Sequence, residues 1–221
     1  MKSLTQLLPE LALRSASAPE AAVMLALARA TETFCWETWA WQEAVDPLDL
    51  ELGEDGATIT VTPENTRATP IAITALRVSG HLLLPVGEAA YQVMWATTPM
   101  WPPRAYYTPI PNTVALVNPI PDKRIEKAMG ELEVIQALAP TRDATTIPDF
   151  LIAGYSMTLI AGALYYLATI TGAPSADPGA AKMYKEEFFS GIATARRNRT
   201  AGYVTSTLRV TPSPLAMGSQ P

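Results

Sequence analysis

The apolar positions of residues 18–43 recur every three to four residues, as they do on one face of an amphipathic helix. The apolar face comprises Val23, Leu27, Thr31, Phe34, Thr38 and Trp41. Most charged residues of this segment fall outside that face. Pro19 stands in the first turn, where its missing N–H costs no hydrogen bond, and Asp46-Pro47 follows the last apolar position. The pattern predicts a long helix over about 18–43.

Two further long helices are predicted in the last third of the chain. Residues 148–171 begin with Pro148-Asp149 and stop before Gly172, a residue type that often follows a helix C-terminus. Residues 178–199 follow Asp177, which suits the N-cap position. Three arginines in the last turn of this segment suit the negative end of the helix dipole. These two helices complete a predicted set of three.

Residues 48–140 have the short alternating runs and frequent prolines that are typical of a small antiparallel β-module. The candidate strands are Ala57–Thr62, Ile71–Ser79, Tyr91–Thr97, Thr113–Asn118 and Leu132–Ala139. Because proline cannot donate to a ladder, residues 98–113 are too proline-rich for a central strand and are predicted to cover a sheet edge or reach a neighbour. A short helical turn is predicted at 122–129.

The expected fold class is therefore α+β, a bundle of long helices with an inserted small antiparallel β-module and an extended C-terminal tail. The helices are expected at about 18–43, 148–171 and 178–199. Residues 1–47 and 141–200 are expected to form a discontinuous helical domain, and residues 48–140 a β-rich insert domain. Residues 201–221 are polar and contain three prolines, so they are expected to extend and not to fold alone.

Residues 150–171 contain no charged side chain and would span roughly 30 Å as a helix, enough for a bilayer. Their polar residues are scattered, and no cluster of Lys or Arg flanks them to set an orientation. We interpret the segment as a helix buried on nearly every side, which favours an oligomer. Gly154, Thr158 and Gly162 form a narrow strip for close approach of another backbone. A small membrane-associated protein using helix 150–171 is the alternative.

The composition gives little support to catalysis. His81 is the single histidine and Cys35 the single cysteine, so a Cys-His or zinc site within one chain is not expected. No glycine-rich phosphate loop occurs. The sequence therefore predicts that the chain is not an enzyme and that it has no catalytic, cofactor-binding or metal-binding residues. Only 17% of residues are charged, against roughly a quarter usually, which suggests that partners cover much of the surface.

Charge is distributed unevenly along the chain. Residues 1–64 hold eleven acids and three bases, whereas four arginines and no acid follow Glu187. Opposite signs at the two ends suit a head-to-tail contact between subunits, and two unrelated solvated faces are the alternative. Trp36 and Trp41 are candidate contacts because tryptophan is enriched in interface hot spots. The early sequence shows no long apolar segment of a signal peptide, so synthesis in the cytoplasm is expected.

The order of several motifs is distinctive. The chain reads ARATETFCWETWAW (28–41), TVALVNPIPD (113–122), LEVIQALAPT (132–141), IPDFLIAGYSMTLIAGALYYL (147–167) and ADPGAAKMYKEEFFSGIATARR (176–197). This order resembles the head-to-tail adaptor proteins of tailed bacteriophages, also called connector or head-completion proteins. The resemblance covers roughly residues 8–200.

The resemblance implies a structural virion protein at the head–tail junction, synthesised in the host cytoplasm. Such a protein forms a homo-oligomeric ring of twelve copies between the portal protein and a tail or nozzle protein, without a membrane. It extends the channel for packaged DNA, which it meets without sequence specificity, and provides the tail-docking surface. The C-terminal extension would reach the portal. The expected subunit or partner contacts are Gly154, Thr158, Gly162, Trp36, Trp41, Arg196, Arg197, Arg199, Tyr203 and Leu208.

Overall fold

A computed structural model describes residues 1–15, 18–46, 50–52, 58–62, 67–95, 103–117, 132–170 and 176–201. The helices are α1 (Leu8–Arg14), α2 (Glu20–Thr38), α3 (Glu88–Trp95), α4 (Asp149–Ala168) and α5 (Pro178–Ala201). The strands are β1 (Lys2–Ser3), β2 (Gln42–Val45), β3 (Leu50–Leu52), β4 (Thr58–Val61), β5 (Ala68–Val78), β6 (His81–Leu82), β7 (Leu84–Pro85), β8 (Ala105–Ile110), β9 (Thr113–Leu116), β10 (Leu132–Pro140) and β11 (Thr146–Ile147).

The antiparallel pair of β5 and β10 is the longest ladder among the described residues. It runs from Leu132 opposite Val78 to Pro140 opposite Ala68. These strands are rich in β-branched and aliphatic residues that fit a pleated, buried surface. Strand β2 pairs with the outer side of β10, and β6 pairs with β5, so the first large sheet has the order β2-β10-β5-β6.

A second large sheet has the order β3-β4-β9-β8-β7 and packs against the first. Its pairs are antiparallel except for the short parallel pair of β7 and β8. Leu83, which is 1% exposed, carries the chain from the edge of one sheet to the edge of the other. The sandwich core between them is formed by Val45, Ile59, Val61, Ile73, Leu76, Val78, Leu83, Tyr106, Val114, Leu116, Leu132 and Val134.

The other end of the β5–β10 pair belongs to a separate, helical core. Ala68, Ile71 and the run 137–139 pack with α2, α4 and α5. The ladder shifts register between Ile135 and Gln136 and again between Ala137 and Leu138, where the pair passes from one core to the other. Such bulges increase local twist and redirect side chains. The same two strands therefore serve both cores.

The helical layer consists of α2 and α5, which run parallel, and α4, which runs antiparallel between them. Gly162 of α4 lies against Ala30 of α2 and Phe188 of α5, and Thr158 lies against Gly191. A small third sheet pairs β1 with β11 and brings the N-terminus to the start of α4. The amino group of Met1 lies 3.0 Å from the Asp149 carboxylate.

The expected bundle of long helices with a small β-module is wrong. The fold is α+β, but about 29% of the described residues are strand, in three sheets. Helices α2, α4 and α5 lie close to the predicted ranges 18–43, 148–171 and 178–199, yet they form one layer of a molecule whose remaining layers are sheets. Helical periodicity shows which face is buried but not whether a helix or a sheet covers it.

The first helix ends five residues before its predicted end. Trp39 takes a left-handed conformation with φ of 51°, and its N–H donates to the Cys35 carbonyl at 2.8 Å, which closes α2. Trp41 is apolar and in phase with α2, but it leads into β2. Gln42 and Val45 pair with β10, so sheet formation overrides the helical pattern at this point.

Two predictions for the β-region are also wrong. Residues 88–95 form α3, which replaces most of the strand expected at Tyr91–Thr97, and Tyr91 stacks on Tyr107 at 5.2 Å. The proline-rich stretch 98–113 contains β8, which lies between β9 and β7 and not at an edge. Pro109 is tolerated there because it falls at a register shift, beyond the residues that β7 pairs with.

The helical turn expected at 122–129 and the tail after Ala201 lie outside the described residues. The expected division into a helical domain (1–47 and 141–200) and an insert domain (48–140) stays a prediction. β2, from the first range, pairs with β10, from the second.

We predict that Leu138→Ala in the helical core and Leu76→Ala in the sandwich core each lower the free energy of unfolding by about 2–5 kcal/mol. Both side chains are 0% exposed. Because β5 and β10 cross both cores, either change should speed amide hydrogen exchange in α4 and in β9 together. Faster exchange in β9 alone after Leu76→Ala would show that the two cores unfold independently.

Candidate interaction surface

The N-terminal half of α4 presents an apolar face to solvent. Phe150, Ala153, Gly154 and Met157 have the spacing that places side chains on one side of a helix. Phe150 is 45% and Met157 47% exposed, and a Cβ built on Gly154 would meet no atom within 4 Å. We call these four residues the apolar stripe. It is the part of α4 that the described residues leave open.

The C-terminal half of α4 is packed inside the chain. A Cβ on Gly162 would lie 2.7 and 2.8 Å from atoms of the Phe188 ring and 2.9 Å from the Ala30 Cβ. A Cβ on Gly191 would overlap the side chain of Thr158. The predicted strip of Gly154, Thr158 and Gly162 is therefore divided. Thr158 and Gly162 provide close helix packing within the chain, and only Gly154 faces outward.

A kink separates the two halves of α4. Tyr155 has φ of −135° and ψ of 15°, outside the helical region. Its ring packs on Phe34 of α2 with 4.9 Å between centroids, so the kink lies where the helix meets α2.

The expectation that this helix is buried on nearly every side was made for an oligomer, and it stays a prediction. Among the described residues α4 is the one helix whose length and composition would allow it to cross a membrane, and 44% of its apolar window is buried. The buried part faces α2 and α5, while the apolar stripe faces away from these contacts. The described part of one chain therefore provides neighbours for about half of the helix.

Two arginines at the end of α5 contact residues at the end of α2. Arg196 donates from Nε to the Glu37 carbonyl oxygen and forms an ion pair with the Glu37 carboxylate. The Arg199 guanidinium lies 4.9 Å from the centroid of the Trp39 ring. A cation at a helix C-terminus is favourable because the last carbonyl groups carry partial negative charge. Two of the predicted contact arginines thus bind within the chain, and Arg197 is exposed.

The predicted tryptophan contacts have different environments. Trp36 is 45% exposed on α2 and is available to a partner. Trp41 is 1% exposed, and its Nε1 donates to Glu43 Oε1 at 2.8 Å, so it belongs to the helical core. Tyr203 and Leu208 lie outside the described residues.

Groups with catalytic potential are not brought together in the described part of the chain. His81 is exposed on the short edge strand β6. Cys35 is fully buried in α2, and burial raises the pKa of its thiol, which keeps it protonated. The described residues contain no group of three or more His, Cys, Asp and Glu side chains that could hold a metal ion.

A cavity between α1 and the start of α2 offers no acid–base pair. It has a volume of about 390 Å³ and is lined by residues of α1 and the start of α2, including Leu8, Ala12 and Val23. The Ser15 hydroxyl at its rim donates to the Leu11 carbonyl oxygen at 2.8 Å. Glu20 at the other side is exposed. The apolar stripe is therefore the strongest candidate for function.

Sequence reasoning found Gly154 but missed its neighbours in the stripe. The spacing of Phe150, Ala153 and Met157 was a usable signal, because it is the helical repeat of a single face. The strip through Thr158 and Gly162 runs along the adjoining side of α4, and α2 and α5 cover it.

Neither a scan of protein-family models nor a search of curated proteins finds a match to this chain.

We predict opposite effects for two glycine substitutions in the same helix. Gly162→Ala should lower the free energy of unfolding by about 1–3 kcal/mol through overpacking against Phe188 and Ala30. Gly154→Ala places a better helix former where there is open space. The free energy of unfolding should therefore stay the same or rise by up to about 1 kcal/mol. Urea unfolding midpoints measure both. Equal losses would mean that the two sites are packed alike.

We predict that Cys35 does not react with Ellman's reagent at neutral pH while the chain is folded. Its side chain is 0% exposed and its thiol stays protonated. Unfolding in urea should release one reactive thiol per chain, because the sequence has a single cysteine. Stoichiometric reaction without denaturant would show that α2 is exposed in the native protein.

Proposed function

We propose that this chain is a structural virion protein that forms a ring adaptor between the portal and the tail of a tailed bacteriophage. In this role it extends the DNA channel and provides the tail-docking surface. The observation that carries the proposal is the apolar stripe on α4: an uncharged helix face with an open glycine at its centre, on a chain without grouped catalytic side chains in its described part.

The chemistry of the stripe favours a protein neighbour. Burial of apolar area is favourable by roughly 25 cal/mol per Å². Covering Phe150 and Met157 with another protein surface therefore lowers the free energy of the assembly. Gly154 carries no side chain, which lets the backbone of that neighbour come close. Asp149 is the one charged residue between 149 and 168, so no charged side chain has to be desolvated within the stripe.

The small size of the stripe suits a ring better than an isolated dimer. Four residues on two helical turns cover far less than the total of about 1,200–2,000 Å² that a stable two-protein interface buries. In a closed ring each subunit has two neighbours, and closure joins modest contacts into one assembly. Portal and tail proteins would cover further surface, as the low charge content suggests.

The charge distribution is consistent with a channel position. After Glu187 the chain has no acidic side chain, and Arg197 is exposed near the end of α5. Arg196 and Arg199 are held against α2, which fixes this end of the helix. A positive surface favours phosphate groups without sequence preference, as proximity to packaged DNA requires.

The resemblance to head-to-tail adaptors supports the same function. Its motifs include the end of α2 (28–41), the strand β10 (132–141), and the helices α4 (147–167) and α5 (176–197). The motif 147–167 contains Gly162 and the motif 176–197 contains Gly191, the two glycines at which α4 and α5 pack closely. The motif 147–167 also contains the apolar stripe. The resemblance thus coincides with the helical layer and its exposed face.

A small membrane-associated protein that uses helix 150–171 is the second candidate, and the length and apolar character of α4 favour it. Insertion would have to separate Gly162 from Ala30 and Phe188 and break the Thr158–Gly191 contact. Flotation with lipid vesicles distinguishes the two functions, because the adaptor remains in the unbound fraction.

We predict that the chain forms rings when mixed with its portal protein, as seen by native mass spectrometry and electron microscopy. Gly154→Glu should prevent ring formation while the chain stays folded, because the charge enters the stripe at a position where a Cβ has no described atom within 4 Å. Met183→Glu is the matched control. Met183 is 55% exposed on α5, level with the far end of α4, and this variant should assemble normally.

Two results would contradict this proposal. One is a wild-type chain that remains monomeric with portal at every concentration. The other is a Gly154→Glu variant that assembles as well as the wild type.

A further inference from the structure

The end of α5 lies level with the beginning of the apolar stripe. Thr158 of α4 faces Gly191 of α5, and the two helices are antiparallel. At about 1.5 Å per residue, Ala201 stands about 15 Å beyond Gly191, and Asp149 about 13 Å before Thr158 in the same direction. The chain therefore leaves α5 level with Asp149 and Phe150 along the helix axis.

The end of α5 is also held in position. Arg196 and Arg199 attach its last turns to Glu37 and Trp39 at the end of α2. The point from which the remaining residues start is fixed relative to the stripe, because both belong to one packed helical layer.

The sequence after Ala201 is suited to cover an apolar face. Residues 202–221 lie outside the described part of the chain and number twenty. Arg209 is their one charged side chain, and Tyr203, Val204, Leu208 and Val210 are apolar or aromatic. At roughly 3.3 Å per residue, residues 203–210 can extend over about 25 Å, whereas the stripe from residue 150 to residue 157 is about 10 Å long.

We propose that in the unassembled subunit the segment Tyr203–Val210 lies on the apolar stripe of its own chain. This inference rests on the proposed function, because it concerns regulation of the surface that function uses. The covered residues are Phe150, Ala153, Gly154 and Met157.

The chain's own tail has an advantage over a second copy as the occupant. A segment tethered to the same chain, which starts level with its site, reaches it at an effective concentration of about millimolar. A separate subunit at micromolar concentration competes poorly for a face this small. The tail therefore occupies the stripe while subunits are dilute, and a neighbour replaces it only where subunits are held close together.

This arrangement connects partner binding to self-assembly. The resemblance implies that the C-terminal tail of the chain also contacts the portal. One segment cannot bind the portal and the stripe at the same time. Portal binding by Tyr203 and Leu208 uncovers the stripe, so subunits join one another on the portal and not free in solution.

Thiol reactivity of the isolated full-length chain tests the inference. Met157→Cys places a thiol in the stripe, and Met183→Cys places one on α5 away from it; both parent side chains are about half exposed. Cys35 is buried and serves as the internal check of folding. The rate of reaction with Ellman's reagent is measured at a concentration where sedimentation shows a monomer.

We expect the thiol introduced by Met157→Cys to react about tenfold or more slowly than the thiol introduced by Met183→Cys, because the tail covers it at high effective concentration. Adding Val204→Ser, Leu208→Ser and Val210→Ser should remove this protection. Adding Thr205→Ser and Thr207→Ser, which keep the apolar residues, should not.

Equal rates for the two thiols in the monomer would overturn the inference. So would protection that rises with protein concentration and ignores the serine substitutions, since a second copy would then be the cover. Because these measurements contain no portal, a failure to form rings leaves their outcome unaffected, and the two proposals fail separately.

Discussion

The β5–β10 pair is the constraint on which the rest of the structure depends. One end of this ladder belongs to the sandwich core with Leu76 and Val134, and the other to the helical core with Leu138. Two register shifts lie between them and redirect the side chains. Gln136 lies at this junction, 1% exposed, and its Oε1 accepts no hydrogen bond from the described residues. Neither core is complete without these strands, so helices and sheets are held as one unit.

Helix α4 is both a core element and a surface element because of a difference between its glycines. Gly162 has no room for a Cβ, and Gly154 has nothing near it. The kink at Tyr155 lies between these two environments. A helix without charged side chains after Asp149 can be buried at any position, so the neighbours decide which half is covered. The exposed half costs solubility in an isolated subunit and is tolerable where a partner or the chain's own tail covers it.

The arginines after Glu187 illustrate how a charged run can have a structural use first. Arg196 and Arg199 stabilise the C-terminus of α2, whose last turn ends in the left-handed residue Trp39. These contacts also fix where the chain leaves α5. Under the proposed function, assembly, portal contact and protection of the apolar stripe are related through one small region at the junction of α2, α4 and α5.

Local physics in the sequence determined the position of α2, α4 and α5, since periodicity, Asp177 as N-cap and the prolines at helix starts act over a few residues. The Asp177 cap is present, with its carboxylate accepting from the Gly179 and Ala180 N–H groups. The sequence also determined that α4 has no charged side chain after Asp149 and that its glycines permit close approach. Only the tertiary structure decided that Trp41 leaves the helix to start a sheet, that residues 88–95 are helical, and that Gly162 is packed while Gly154 is open. Those outcomes depend on partners distant in sequence, such as β10, Tyr107 and Phe188, and no local pattern contains that information.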